Sequence, residues 1–117
     1  MVYFSVPVLA VLIAVATPGP IPATTPLGTA MIHMRGFAFV PRSLTVVRGT
    51  KVTIVNDDDD AHTATATDAS FDSAGLDAHE SWSHVFTKPG TYAYFCALHP
   101  YMKGVVIVRP TLSKGTV

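Results

Sequence analysis

Residues 91–108 read TYAYFCALHPYMKGVVIV. The first part alternates: Tyr92, Tyr94 and Cys96 fall on one side of an extended chain, Ala93 and Phe95 on the other. A period of two is the signature of a strand with one face buried. From Gly104 to Val108, GVVIV is a second short apolar run whose β-branched residues suit a pleated surface. Between the two lies CALHPYM, with Cys96, His99 and Met102 spaced three and three. The stretch predicts two strands joined by a loop on which three potential metal donors can converge.

The chain upstream is written in the same idiom. MIHMRGFAFV (31–40) and SLTVV (43–47) are short apolar runs separated by Pro41. KVTIV (51–55) alternates, with Val52 and Ile54 on one face, and SWSHVF (81–86) places Trp82, His84 and Phe86 together. The long polar stretch between them contains HTATAT (62–67), whose threonines are strand-like. Turn signals stand at Arg48-Gly49, Gly75 and Lys88-Pro89-Gly90. No window holds a helical period. Several short strands punctuated by turns predict an all-β sandwich or barrel.

With 117 residues there is room for one domain. Lys+Arg and Asp+Glu are each 8, a balance that argues against nucleic acid, whose binding rests on basic residues neutralising phosphates. The single cysteine excludes an intrachain disulfide, so the core must hold the fold. Residues 1–16, MVYFSVPVLAVLIAVA, are almost wholly apolar, yet short of the ~20 residues that span a bilayer. They fit the apolar part of a secretory signal, with Ala14 and Ala16 placed for cleavage, although no basic residue precedes Arg35. Retention of the segment as an N-terminal anchor is the alternative. Residues 17–30, rich in Pro and Thr, read as an extended linker. The folded domain is then expected over 31–110, with 111–117 as a C-terminal tail.

The chemistry lies in the loop. A copper ion that cycles between Cu(II) and Cu(I) suits two imidazoles, one thiolate and a weak axial thioether. Cys96, His99 and Met102 supply three of these, and His62, opening HTATAT, is the best candidate for the second imidazole. Taken singly, Cys96 could be a small buried hydrophobe. A Cys–His nucleophile pair finds no orienting Asp or Asn nearby. One cysteine cannot build a binuclear copper–thiolate centre, and no His-x-His pair exists for a trinuclear one. Structural zinc takes four Cys or His ligands, so a methionine at the fourth place favours copper. Outside the pattern, His84 reads as a partly buried strand residue, His33 and His79 as solvent-facing, and Met31 and Met34 as core or edge. Asp57–Asp60 reads as a solvated turn kept exposed by like-charge repulsion rather than a calcium or docking site.

From Gly36 to Val108 the chain resembles the small blue-copper proteins, the cupredoxins, and most of all their amicyanin branch within the plastocyanin-like group. The resemblance rests on GFAFVPRSLTVVRGTKVTIVN, His62, FDSAGL, KPGTYAYFC and the closing CALHPYMKG. It implies an eight-stranded Greek-key sandwich, not an enzyme, that shuttles single electrons on one type 1 copper ion. It carries the ligand roles onto His62, Cys96, His99 and Met102. It also gives Asn56 the task of tying the two ligand-bearing loops together. Three positions depart from the usual pattern: Ala61 stands where a proline often precedes the first histidine, Thr63 where an asparagine often follows it, and Ile54 where a tryptophan is common.

The expectation is an exported, periplasmic or extracytoplasmic, monomeric electron carrier. Redox partners would dock transiently on the apolar surface of Leu98, Pro100 and Tyr101 around His99. The alternatives are copper delivery or storage, with Met31, Met34 and His33 as helpers, and a copper module tethered to a membrane assembly through residues 1–16.

Overall fold

The computed structural model describes residues 2, 3, 10 and 26–111. These form eight strands: β1 (Gly28–Met34), β2 (Phe39–Val40), β3 (Ser43–Val47), β4 (Thr50–Asn56), β5 (Thr65–Ala66), β6 (Ser81–Phe86), β7 (Gly90–Phe95) and β8 (Lys103–Arg109). They build two four-stranded sheets, ordered β2-β1-β4-β6 and β3-β8-β7-β5. This is the all-β Greek-key sandwich read from the sequence. The segments assigned to a signal or anchor (1–16) and a linker (17–30) lie largely outside the described residues, as do residues 112–117 of the tail. Among the described residues no helix is long and apolar enough to cross a membrane.

Alternation decides which faces meet. Ile32 and Met34 on β1, Val52 and Ile54 on β4, and Val106 and Val108 on β8 are all buried between the sheets. Each such side chain contributes about 1.5–3 kcal/mol relative to exposure. On β6, Trp82 stacks on His84 (centroids 5.5 Å, 11° between planes), and His84 meets Phe86 edge-on at 4.7 Å. That trio shares one face as its spacing required, and His84 is half-buried.

β1 begins three residues ahead of Met31, the expected domain start. Backbone pairing extends it: Gly28, Thr29 and Ala30 run parallel to Thr50, Lys51 and Val52, and Leu27 N donates to Gly49 O at 2.9 Å. MIHMRGFAFV, read as one apolar run, is instead a hairpin. Gly36 and Phe37 both take positive φ (60° and 58°), and Arg35 and Ala38 exchange backbone hydrogen bonds across the turn. Two successive positive-φ residues make the turn whose twist suits a two-residue hairpin.

HTATAT also differs from its expected strand. Only Thr65 and Ala66 pair with β7, while His62 makes an isolated bridge to Leu76. The donors that would continue the ladder go elsewhere, Thr63 N to Cys96 Sγ and Ala64 N to Ser73 Oγ. One glycine is fixed by packing: an added Cβ at Gly104 would lie 2.5 Å from the ring and hydroxyl of Tyr94. Tyr94 is its register partner on β7.

Candidate metal centre

Two loops at one end of the sandwich carry the donors. The first leaves β4 at Asn56 and brings in His62; the second joins β7 to β8 and carries Cys96, His99 and Met102. The second loop closes on itself. Cys96 N donates to Met102 O (3.0 Å), His99 N to Cys96 O (3.2 Å) and Met102 N to His99 O (2.8 Å). Two nested turns in seven residues curl the backbone so that residues three apart face inward, which is the local reason for the spacing of Cys96, His99 and Met102.

His62, Cys96 and His99 come together. The two Nδ1 atoms lie 3.2 Å apart, and Cys96 Sγ is 3.8 Å from that of His62 and 3.6 Å from that of His99. A triangle with these edges has its centre roughly 2 Å from each corner, a metal–donor bond length for imidazole nitrogen and near that for thiolate. Among the described residues this is the cluster of His, Cys, Asp and Glu donors whose atoms all lie within 4.8 Å of one another. His62, Cys96 and Met102 are buried, whereas His99 is half-exposed. The residues therefore fit the donor set of a type 1 copper: two imidazoles and a sulfur converging, with a thioether-bearing residue buried on the same loop.

Surrounding groups hold this arrangement. His62 Nε2 lies 2.9 Å from Asp58 Oδ2. An ionised carboxylate only accepts, so Nε2 is the donor of this bond, and Nδ1 is the ring nitrogen that faces Cys96 and His99. Burial pushes the Asp58 carboxyl up, but the backbone N–H groups of Phe37 and Gly36 and the His62 ring together hold it below the ordinary aspartate value. The second link is Thr63. Its N–H points at Cys96 Sγ (3.2 Å), and its hydroxyl accepts from Ala97 N (2.7 Å). One residue thus ties the His62 segment to the Cys96 loop.

That corrects the role expected of Asn56. Its amide donates to Asp60 O (2.8 Å) and Leu76 O (3.0 Å), and its Oδ1 accepts from Asp58 N (2.9 Å). Asn56 organises the first loop and its neighbour around Leu76; the tie between the two ligand-bearing loops is made by Thr63. The acidic run is also not a merely solvated turn. Asp57 accepts from His33 Nδ1 (2.7 Å) and Arg35 (3.1 Å), and its carboxyl is held low by His33 first and then Arg35, against burial. Asp58 accepts from Gly36 N and Phe37 N. Only Asp59 and Asp60 are exposed as expected. His33 is engaged with Asp57 rather than simply solvent-facing, and His79 is exposed at a positive φ of 68°.

Phe37 escaped the sequence reading. Its ring stands edge-on to both His62 (5.1 Å, 86°) and His99 (5.0 Å, 87°). The Gly-Phe pair inside an otherwise apolar run was the available signal for a turn there. Around His99, Leu98 and Tyr101 are exposed at 55% and 67%, and Pro100 is exposed as well.

A cupredoxin-like domain model matches residues 6–108. The chain belongs to the cupredoxin-like family. Among solved structures it is similar to a novel purple cupredoxin from Nitrosopumilus maritimus, at 30% identity over 68% of this chain and 98% of that one, with a TM-score of 0.63. It is also similar to a Cu-containing nitrite reductase from Thermus scotoductus SA-01, at 34% identity, covering 83% of this chain but 26% of that one (TM-score 0.67). A reduced amicyanin mutant matches at 25% identity over 77% of this cupredoxin and 97% of that chain, with a TM-score of 0.66. Amicyanin-alpha of Methylorubrum extorquens is 47% identical over 34 residues, which is 29% of each chain. The match therefore spans less than a third of that curated relative's length. The donor arrangement is consistent with one type 1 copper, and electron transfer is the general role of the cupredoxin-like family.

Proposed function

We propose that this cupredoxin is an exported single-electron carrier in which His62, Cys96, His99 and Met102 hold one type 1 copper ion. The observation that carries the reading is the triangle of His62 Nδ1, His99 Nδ1 and Cys96 Sγ, with edges of 3.2–3.8 Å. Copper, when bound there, supplies the reversible Cu(II)/Cu(I) couple.

The protein's part is to keep the donors still. Cys96 and His62 are wholly buried, and each is held by a fixed partner, Thr63 N–H for the sulfur and Asp58 for the ring. Donors already in place need little rearrangement between oxidation states. His99 alone of the three reaches solvent, so its ring edge is the route for the electron. The exposed Leu98, Pro100 and Tyr101, joined by Phe37, form an apolar collar around it. A small patch of this kind gives the weak, short-lived contact that turnover demands. Monomeric state and export complete the proposal; residues 1–16 serve as a cleaved signal or as a tether ahead of the Pro/Thr-rich segment. Copper delivery is less well supported, since Met34, one of its proposed helper thioethers, is fully buried in the core.

Copper-loaded protein is expected to show the intense blue thiolate-to-Cu(II) band and to cycle reversibly at an electrode with the ion retained. Cys96→Ser should abolish the band. Persistence of the band in that variant, or ready loss of Cu(I) to an acceptor, would overturn the reading.

A further inference from the structure

We propose that Asp58 is the positioning residue of the metal centre: its carboxylate locks His62 in the tautomer that offers Nδ1, and its charge biases the site toward Cu(II). The second half rests on the copper assignment above; the first does not.

Three contacts converge on this one side chain. Oδ2 accepts from His62 Nε2 (2.9 Å) and from Phe37 N (2.9 Å), and Oδ1 accepts from Gly36 N (2.8 Å). Asp58's own N–H is fixed by Asn56 Oδ1 at 2.9 Å. The carboxylate is therefore held at both ends, and its side chain is only 14% exposed. His62 is 0% exposed, so the ring has no water with which to exchange this partner. Its Nε2 proton has one acceptor, and the other nitrogen is committed to the donor triangle.

A carboxylate behind a ligating imidazole orients the ring and raises the basicity of the nitrogen that binds the metal. A neutral carbonyl would do the first and much less of the second. Negative charge next to the ligand favours the more highly charged ion, so Asp58 strengthens Cu(II) binding over Cu(I) and lowers the reduction potential. Asp58 also carries the turn of Phe37. By accepting both N–H groups of the positive-φ pair, it fixes the ring that stands over His62 and His99. Removing its charge therefore acts on ligand and cover together.

The test uses the full chain in two states. In metal-free wild-type protein, nitrogen-resolved NMR of the His62 ring should show the proton on Nε2 and none on Nδ1. A ring protonated on Nδ1 alone would overturn the tautomer half without any variant being needed. In copper-loaded protein, Asp58→Asn should keep the blue band while the Cu(II)-to-Cu(I) affinity ratio falls about tenfold, a rise of about 59 mV for a one-electron couple. A variant that is merely destabilised would lower its melting temperature and leave the potential in place. An unchanged or lowered potential with the blue band intact overturns the charge half. If Asp58→Asn fails to fold, Asp58→Glu, which keeps the charge, should retain the wild-type potential, and a rise of tenfold-equivalent size there overturns it. A wild-type protein that gives no blue band refutes the copper assignment instead, and the metal-free NMR result still decides the role of Asp58 toward His62.

Discussion

Replacing Thr63 by valine tests whether one hydroxyl joins the two halves of the centre. Valine keeps the shape of threonine and removes only the oxygen. That oxygen accepts from Ala97 N at 2.7 Å and bonds Thr65 Oγ1 at 2.9 Å. Thr65 retains a second partner in Asp72 Oδ1 (3.2 Å), so its loss is small. Among the described residues Ala97 N–H has Thr63 Oγ1 as its protein partner, and a fully buried donor left orphaned costs about 1–3 kcal/mol. The bond is only part-buried, which places the expected loss in the lower half of that range, at about 1–2 kcal/mol. For a domain of this size each kcal/mol lowers the melting temperature by roughly 4–8 °C. The measurement is urea unfolding of the metal-free protein, since a bound ion would add its own stabilisation. Amide hydrogen exchange at Ala97 adds a local readout. Thr63→Ser is the control: it sheds a buried methyl, about 0.8 kcal/mol, but keeps the acceptor and so should leave Ala97 protected. Equal protection of Ala97 in the valine and wild-type proteins, with stabilities inside about 0.5 kcal/mol, a spread ordinary for silent substitutions, would refute the reasoning.

Two further predictions concern the sandwich. Burial between Trp82 and Phe86 lowers the His84 pKa from its ordinary 6.5. The unfolded chain then takes up the proton first, so the stability due to neutral His84 is complete above about pH 6.5 and declines as pH falls toward the folded value. Urea midpoints measured from pH 8 to pH 5 should fall less steeply in His84→Phe than in the wild type; identical slopes would contradict the assignment. At Gly104, alanine would force its Cβ to within 2.5 Å of the buried Tyr94 ring. Overpacking of this kind costs about 1–3 kcal/mol, and thermal unfolding of Gly104→Ala at wild-type stability would show that the ring gives way freely.

The strands and the donors were legible in the sequence because both depend on short-range patterns. A period of two names the buried face of β4, β6, β7 and β8 without reference to any partner strand. Likewise, Cys96, His99 and Met102 announce themselves within one loop. His62 was reachable only because few histidines compete for the role. What stayed hidden was contact across long sequence distance. Asp58 meets the backbone of Gly36 and Phe37 more than twenty residues away, and Thr63 meets Ala97 thirty-four residues on. A run of four aspartates looks like a solvated turn until a hairpin arrives with two N–H groups and His62 with a third donor. The same blindness assigned the loop-tying role to Asn56, whose partners prove to be local to its own side of the centre. It also passed over Phe37, which carries no donor and is marked only by the glycine before it.

The three departures from the usual cupredoxin pattern bear on what this protein can vary. Where an asparagine often follows the first histidine, Thr63 makes the cross-loop bond with a hydroxyl. Where a tryptophan is common on β4, Ile54 is buried, and its register partner on β6 is Trp82, which packs against Phe71 at 5.8 Å. An indole thus reaches the same layer from the neighbouring strand. Where a proline often stiffens the approach to His62, Ala61 leaves the backbone free, and Asp58 holds the ring from four residues upstream instead. None of the three departures touches the donor set of His62, Cys96, His99 and Met102. The donor set therefore rests on four side chains, and the contacts that hold it are made by Asp58 on the His62 ring, by Thr63 across the two loops and by Phe37 edge-on to both imidazoles.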